Sequence, residues 1–78
     1  MKIQVYAMLK DYFNEEITMD STGIHNASDL IVKLSELNPD AATVLKRCRV
    51  AVEMKFVSGD YKLNTHDTIS IIPPSSGG

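Results

Sequence analysis

One helix-spaced apolar stripe constrains this chain more than any other feature. Ala27, Leu30, Ile31, Leu34 and Leu37 recur at the spacing that puts side chains on one helical face. Asn26 stands where an N-cap is needed, and Asp29, three residues on, puts its charge at the electropositive helix end. Asn38-Pro39 stops the segment, because the residue before a proline is biased away from helical backbone. The same pair can open a second short helix, with Asn38 as cap, Pro39 in the first turn, and Ala42, Val44 and Leu45 as its apolar positions. A helix with one stripe covers one face of one layer, so the rest of the chain must supply a sheet.

Strand patterns flank the helix on both sides. Residues 3–9 alternate, with Ile3, Val5, Ala7 and Leu9 on one face and Gln4, Tyr6 and Met8 on the other. Lys10 to Phe13 reads as a connecting turn. Ile17, Thr18 and Met19 read as a short second strand, close enough to the first to pair with it as an antiparallel hairpin. Val50 and Val52 alternate with Ala51 and Glu53 in a third strand. A turn near Met54-Lys55 leads to Phe56-Val57, and Ser58-Gly59-Asp60 is turn chemistry. Leu63 is a lone apolar residue before the polar turn Asn64 to Asp67. The final strand is Thr68 to Ile72, with Ile69 and Ile71 on one face and Ser70 and Ile72 on the other. Pro73-Pro74 ends it, since proline donates nothing to a ladder. This order predicts an α+β fold of the ubiquitin-like β-grasp type. A mixed sheet is covered on one face by the helix, with the first and last strands adjacent and parallel. Residues 1–74 form the domain and residues 75–78 a flexible C-terminal tail.

A chain of 78 residues supports one small domain. Its net charge is −2 and its eight Lys and Arg are scattered, which argues against a nucleic-acid surface. The apolar runs are too short to span a bilayer, and no signal-peptide pattern opens the chain. The single cysteine, Cys48, makes no internal disulfide and fits a reducing cytoplasm. Two readings of Cys48 stand side by side. One is a half-buried small apolar residue. The other is a reactive thiol, whose pKa Lys46, Arg47 and Arg49 would have to lower. His25 and His66 lack ligand-like spacing to other metal-binding residues and read as surface positions, so no metal is expected.

Ser75-Ser76-Gly77-Gly78 follows the last strand without an apolar anchor. From Pro73 onward six residues could reach roughly 20 Å at full extension, far enough to enter another protein's active site. Gly77 and Gly78 carry no Cβ, so they can thread a narrow channel and leave the terminal carbonyl open to attack. Pro73-Pro74 stiffens the exit. The carboxylate is inert as it stands: it is ionised at neutral pH, with an ordinary pKa of about 3.3–3.7. Acyl chemistry there needs activation, most simply as an acyl-adenylate from ATP. The chain has no phosphate-cradling glycine loop, so the activating machinery and its ATP belong to a partner and no cofactor is bound here. The alternative is that the two glycines are a frayed end or an expression scar.

The stretch from Asp67 to Gly78 resembles the end of the small subunit of molybdopterin synthase, the sulfur carrier of molybdenum cofactor biosynthesis. An Asp, an apolar strand, Pro-Pro, a short spacer and Gly-Gly occur in that order. Arg49 to Val57 resembles the family's central strand and turn, and Val5-Tyr6-Ala7 with Leu9-Lys10-Asp11 also fits. The resemblance covers essentially the whole chain. It implies that a ubiquitin-E1-like enzyme adenylates Gly78, that a sulfur donor protein converts it to a thiocarboxylate, and that Ser75, Ser76 and Gly77 thread into a large catalytic subunit. Sulfur would pass there to a cyclic pyranopterin monophosphate, within a heterotetramer. The resemblance also implies that Tyr6, Lys10, Phe56, Ile72, Pro73 and Pro74 meet that subunit. For Tyr6 and Ile72 the residues point the same way, because both fall on strand faces opposite the core. Ordinary packing under a loop is the other reading of Tyr6 and Phe56.

The chain departs from the family pattern at two positions: Glu53 stands where Asn is usual, and His66 where Gly is usual. Histidine tolerates positive φ better than most residues, so the turn at His66 should keep its shape. No acid–base constellation converges, so no activity is expected of the chain alone. The same fold and Gly-Gly ending also suit a sulfur carrier for thiamine or tRNA thiolation, a ubiquitin-like modifier joined to lysines through Gly78, or a plain interaction domain. Pro-Pro before the tail argues against the thiamine type.

Overall fold

The structure, a computed structural model, describes residues 1–74. Five strands form one sheet: β1 (Lys2–Val5), β2 (Glu16–Thr18), β3 (Arg49–Val52), β4 (Lys55–Val57) and β5 (Thr68–Ile72). Their order across the sheet is β2-β1-β5-β3-β4. β1 runs parallel to β5, with Ile3 opposite Ile69 and Val5 opposite Ile71, and antiparallel to β2. β3 pairs antiparallel with both β5 and β4. This is the β-grasp arrangement expected, with the first and last strands side by side at the centre.

Helix α1 (Ala27–Leu37) crosses one face of the sheet and buries Ala27, Leu30 and Leu34. They meet Ile3, Val5, Val50, Val52, Ile69 and Ile71, all from one side of the pleat. Asn26 caps α1 as expected: its Oδ1 accepts from the Asp29 N–H at 2.8 Å, and the Asp29 carboxylate accepts from the His25 N–H at 2.9 Å. Two further N–H groups of the first turn donate outside the helix, Ala27 to the Tyr61 carbonyl at 3.1 Å and Ser28 to the Gly59 carbonyl at 2.8 Å. The loop after β4 thus satisfies donors that every helix start leaves free. Leu63 anchors this loop in the core. Asn38 ends α1 and opens a 3-10 turn, Pro39–Ala41, accepting from the Asp40 N–H at 3.1 Å. The turn leads into α2 (Ala42–Leu45), which buries Leu45.

Three expectations need correction. The first strand ends at Val5, not at residue 9. Ala7 takes φ 53° and starts a 3-10 helix, Ala7–Asp11, in which the Leu9 N–H donates to the Tyr6 carbonyl at 3.1 Å. Leu9 is still fully buried, so a strand and a tight turn place the same residue in the core and leave the same alternation. Leu37 leaves the stripe and is 55% exposed, because α1 runs past the edge of the core in its last turn. The β3–β4 turn is Glu53-Met54, with both residues at positive φ, 53° and 69°, and Lys55 is already in β4. The turn at His66 keeps its shape as expected, with the Asp67 N–H donating to the Asn64 carbonyl at 3.1 Å, and it does so without positive φ at His66.

Candidate functional site

The face of the sheet opposite α1 carries the even-numbered residues of β1, β4 and β5 and the odd-numbered residues of β3. The register aligns Gln4, Ser70, Ala51 and Phe56 in one row across four strands. The next row brings Ile72 opposite Arg49, with Tyr6 just beyond the end of β1. Tyr6, Ala51, Met54, Phe56, Ser70 and Ile72 enclose a depression of about 330 Å³ that is largely apolar. Among the described residues no helix covers this face, and Tyr6 is 42% and Phe56 53% exposed.

Each wall has a local cause. Tyr6 is held in extended backbone at the head of the 3-10 helix, and its hydroxyl donates to Gln4 Oε1 at 3.2 Å. The Arg49 guanidinium lies over the Phe56 ring, 4.0 Å from its centroid. Ala51 is buried between its neighbours on this face, which lets the floor lie low. Ile72 is the last paired residue of β5, and Pro73 and Pro74 leave the ladder beside the depression.

Three of the expected contact residues, Tyr6, Phe56 and Ile72, therefore line one depression, with Pro73 and Pro74 at its exit. Lys10 does not join them. It sits in the 3-10 helix, pairs with Glu15 at 3.6 Å, and lines a separate recess with Phe13, Ile17 and Leu37. Both partners of that pair are exposed, so it holds the loop weakly. Met54, 97% exposed, was missed as a wall. Its signal was Glu53 in the usual place of Asn, since Asn favours the positive φ of a two-residue hairpin. The expected carrier Gly78 and the threading residues Ser75, Ser76 and Gly77 lie outside the described residues.

Cys48 lies away from this face. Its thiol donates to the Val44 carbonyl at 3.2 Å, and partial burial pushes its pKa up. The neighbouring cations do not reverse this, so the thiol behaves as the half-buried apolar residue of the first reading. Among the described residues no three His, Cys, Asp or Glu side chains come together. No helix among them is long and apolar enough to cross a membrane.

A five-stranded mixed sheet with α1 packed on one face and an apolar depression on the other is a fold of the ubiquitin-like class. The chain belongs to the ThiS family, whose model matches residues 3–78. It is 31% identical to the molybdopterin synthase sulfur carrier subunit of Dictyostelium discoideum, over 99% of this chain and 94% of the relative. Its fold is similar to that of SAMP1 from Haloferax volcanii (TM-score 0.79, 17% identity, 99% and 97% of the two chains). It is also similar to a chain in the protein–protein complex of subunits 1 and 2 of the molybdopterin-converting factor from Helicobacter pylori 26695 (TM-score 0.69, 18% identity, 99% and 96%).

Proposed function

We propose that this chain is the sulfur-carrier small subunit of a molybdopterin synthase. The observation that carries the reading is the course of β5: it passes through the middle of the sheet and releases Pro73-Pro74 at the rim of the apolar depression. A protein seated on that face is placed to receive the residues beyond Pro74. The whole-length likeness to a sulfur carrier subunit supports the cargo.

In this reading the Gly78 carboxylate attacks the α-phosphorus of ATP on an E1-like enzyme and pyrophosphate leaves. A sulfur donor protein delivers sulfide-level sulfur, which attacks the acyl carbon and displaces AMP, leaving a thiocarboxylate. The large catalytic subunit then takes the tail through Ser75, Ser76 and Gly77. The thiocarboxylate sulfur bonds to the cyclic pyranopterin monophosphate, water attacks the Gly78 carbonyl and breaks its C–S bond, and Gly78 returns as a carboxylate, in two rounds for the two sulfurs of the dithiolene. Tyr6, Phe56, Ile72, Pro73 and Pro74 seat the domain on that subunit. Lys10, some way around the surface, contacts its margin. The chain itself holds no nucleotide, and its work is set in the cytoplasm.

The intact mass of protein purified from cells that hold its partners tests the chemistry. A fraction heavier by the difference between sulfur and oxygen, lost when Gly78 is deleted, is expected. That fraction, added to the large subunit and the pterin precursor, should yield molybdopterin. Isopeptide conjugates to many cellular proteins, with no heavier form, would favour a protein modifier. A Gly78 deletion that still supports cofactor synthesis would sink the reading.

A further inference from the structure

The β3–β4 turn is built from two residues poorly suited to it. A two-residue hairpin with both central residues at positive φ favours Asn-Gly or Asp-Gly, because L-residues with long side chains crowd their own backbone there. This chain uses Glu53 and Met54, at φ 53° and 69°. Strained backbone of this kind clusters where a protein meets a ligand or partner.

The second observation is where the turn holds its side chain. Met54 is 97% exposed, the most exposed of the large apolar residues described. It also lines the same depression as Tyr6, Phe56 and Ile72. The thioether is therefore a raised edge of that face. An unbranched, polarizable side chain suits such a place, because it adapts its shape to the surface it meets.

We propose that Met54 is an anchor for the large catalytic subunit, and that the Glu53-Met54 turn exists to hold it clear of the sheet. This rests on the docking reading given above and adds a contact that neither the strand pattern nor the resemblance supplied. The occupant is that subunit and not a second copy of this chain, because the depression that Met54 borders at its β3–β4 turn end runs across the sheet to Ile72, from which Pro73 leaves at the other end. A partner that takes the tail beside Ile72 and covers the whole depression reaches Met54 at its far end.

The test compares the full chain with single variants, using the large subunit of the same organism's molybdopterin synthase in a titration. Met54→Ala is expected to weaken binding about ten-fold or more, the loss of a buried methionine side chain. Met54→Leu should stay within a few-fold of the parent, since Leu and Met exchange easily in packed sites. Val32→Ala, on the outer face of α1, is the control and should change nothing. Unchanged affinity in Met54→Ala while Phe56→Ala weakens binding overturns the anchor but leaves the docking reading standing. Failure of the parent chain itself to bind overturns both. Equal loss in Met54→Ala and Met54→Gly, with folding intact in both, assigns the contact to the side chain and not to the backbone of the turn, as proposed. A Met54→Gly variant that binds as well as the parent overturns the proposal.

Discussion

The guanidinium of Arg49 rests 4.0 Å from the centre of the Phe56 ring. Arg49 opens β3 and Phe56 is the middle residue of β4, so the contact ties the edge strand to its neighbour on the uncovered face. β4 has three residues and, among the described residues, pairs with β3 alone, which makes this side-chain contact a meaningful share of what fixes it.

A double-mutant cycle on Arg49→Ala and Phe56→Leu should give a coupling of about 0.5–1 kcal/mol, the range for a cation over an exposed ring. Urea unfolding of the four proteins measures it. No coupling would mean that the pair contributes nothing in water.

The Glu53-Met54 turn should be improvable. Replacing Met54 by Gly, or Glu53 by Asn, should raise unfolding free energy by about 1 kcal/mol each, since left-handed backbone costs an ordinary L-residue about 1–2 kcal/mol. The midpoint of urea unfolding reports it.

Truncating the centre of the helix stripe should do the most harm. Leu30 and Leu34 are fully buried, and Leu→Ala at either should cost about 2–5 kcal/mol. A domain of this size holds only about 5–15 kcal/mol in all. The thermal midpoint should therefore fall steeply, whereas Leu37→Ala, out on the exposed last turn, should move it little.

The Asn26 cap gives a smaller, cleaner test. Asn26→Ala removes the acceptor of the Asp29 N–H and should cost about 1 kcal/mol. Asn26→Asp should keep most of that, because a carboxylate accepts the same hydrogen bond.

Cys48 sets an alkaline limit. Its thiol pKa is raised in the folded chain by burial, so the unfolded chain loses this proton first. Its contribution is complete below the ordinary thiol value of about 8.5 and is lost as pH rises through the higher folded value. Stability should fall more steeply in the parent than in Cys48→Ala between those two values, and alike in both above them. Iodoacetamide should label the native thiol slowly and the urea-unfolded thiol quickly.

Much of the architecture was legible because each element carries its own signal. Asn26, Asp29 and the apolar spacing mark α1 from start to end. Ile69 and Ile71 mark β5, and Pro73 marks its stop. The illegible parts involve residues whose pattern serves two geometries. Leu9 fills the core from a strand or from a 3-10 turn, so alternation through residues 3–9 could not reveal the bend at Ala7. Leu37 keeps helical spacing, but spacing does not say where the sheet beneath it ends. On the uncovered face, Tyr6 and Ile72 were visible from parity alone. Met54 was not, because a turn residue has no parity and only its backbone angle gives it direction.

The position of β5 has a mechanical consequence. It is a central strand, held along its length by β1 on one side and β3 on the other. A pull applied from Pro73 loads both ladders in shear, so many hydrogen bonds must yield together and none can be peeled one at a time. A partner can therefore tug on the chain beyond Ile72, cycle after cycle, without unravelling the domain that delivers it.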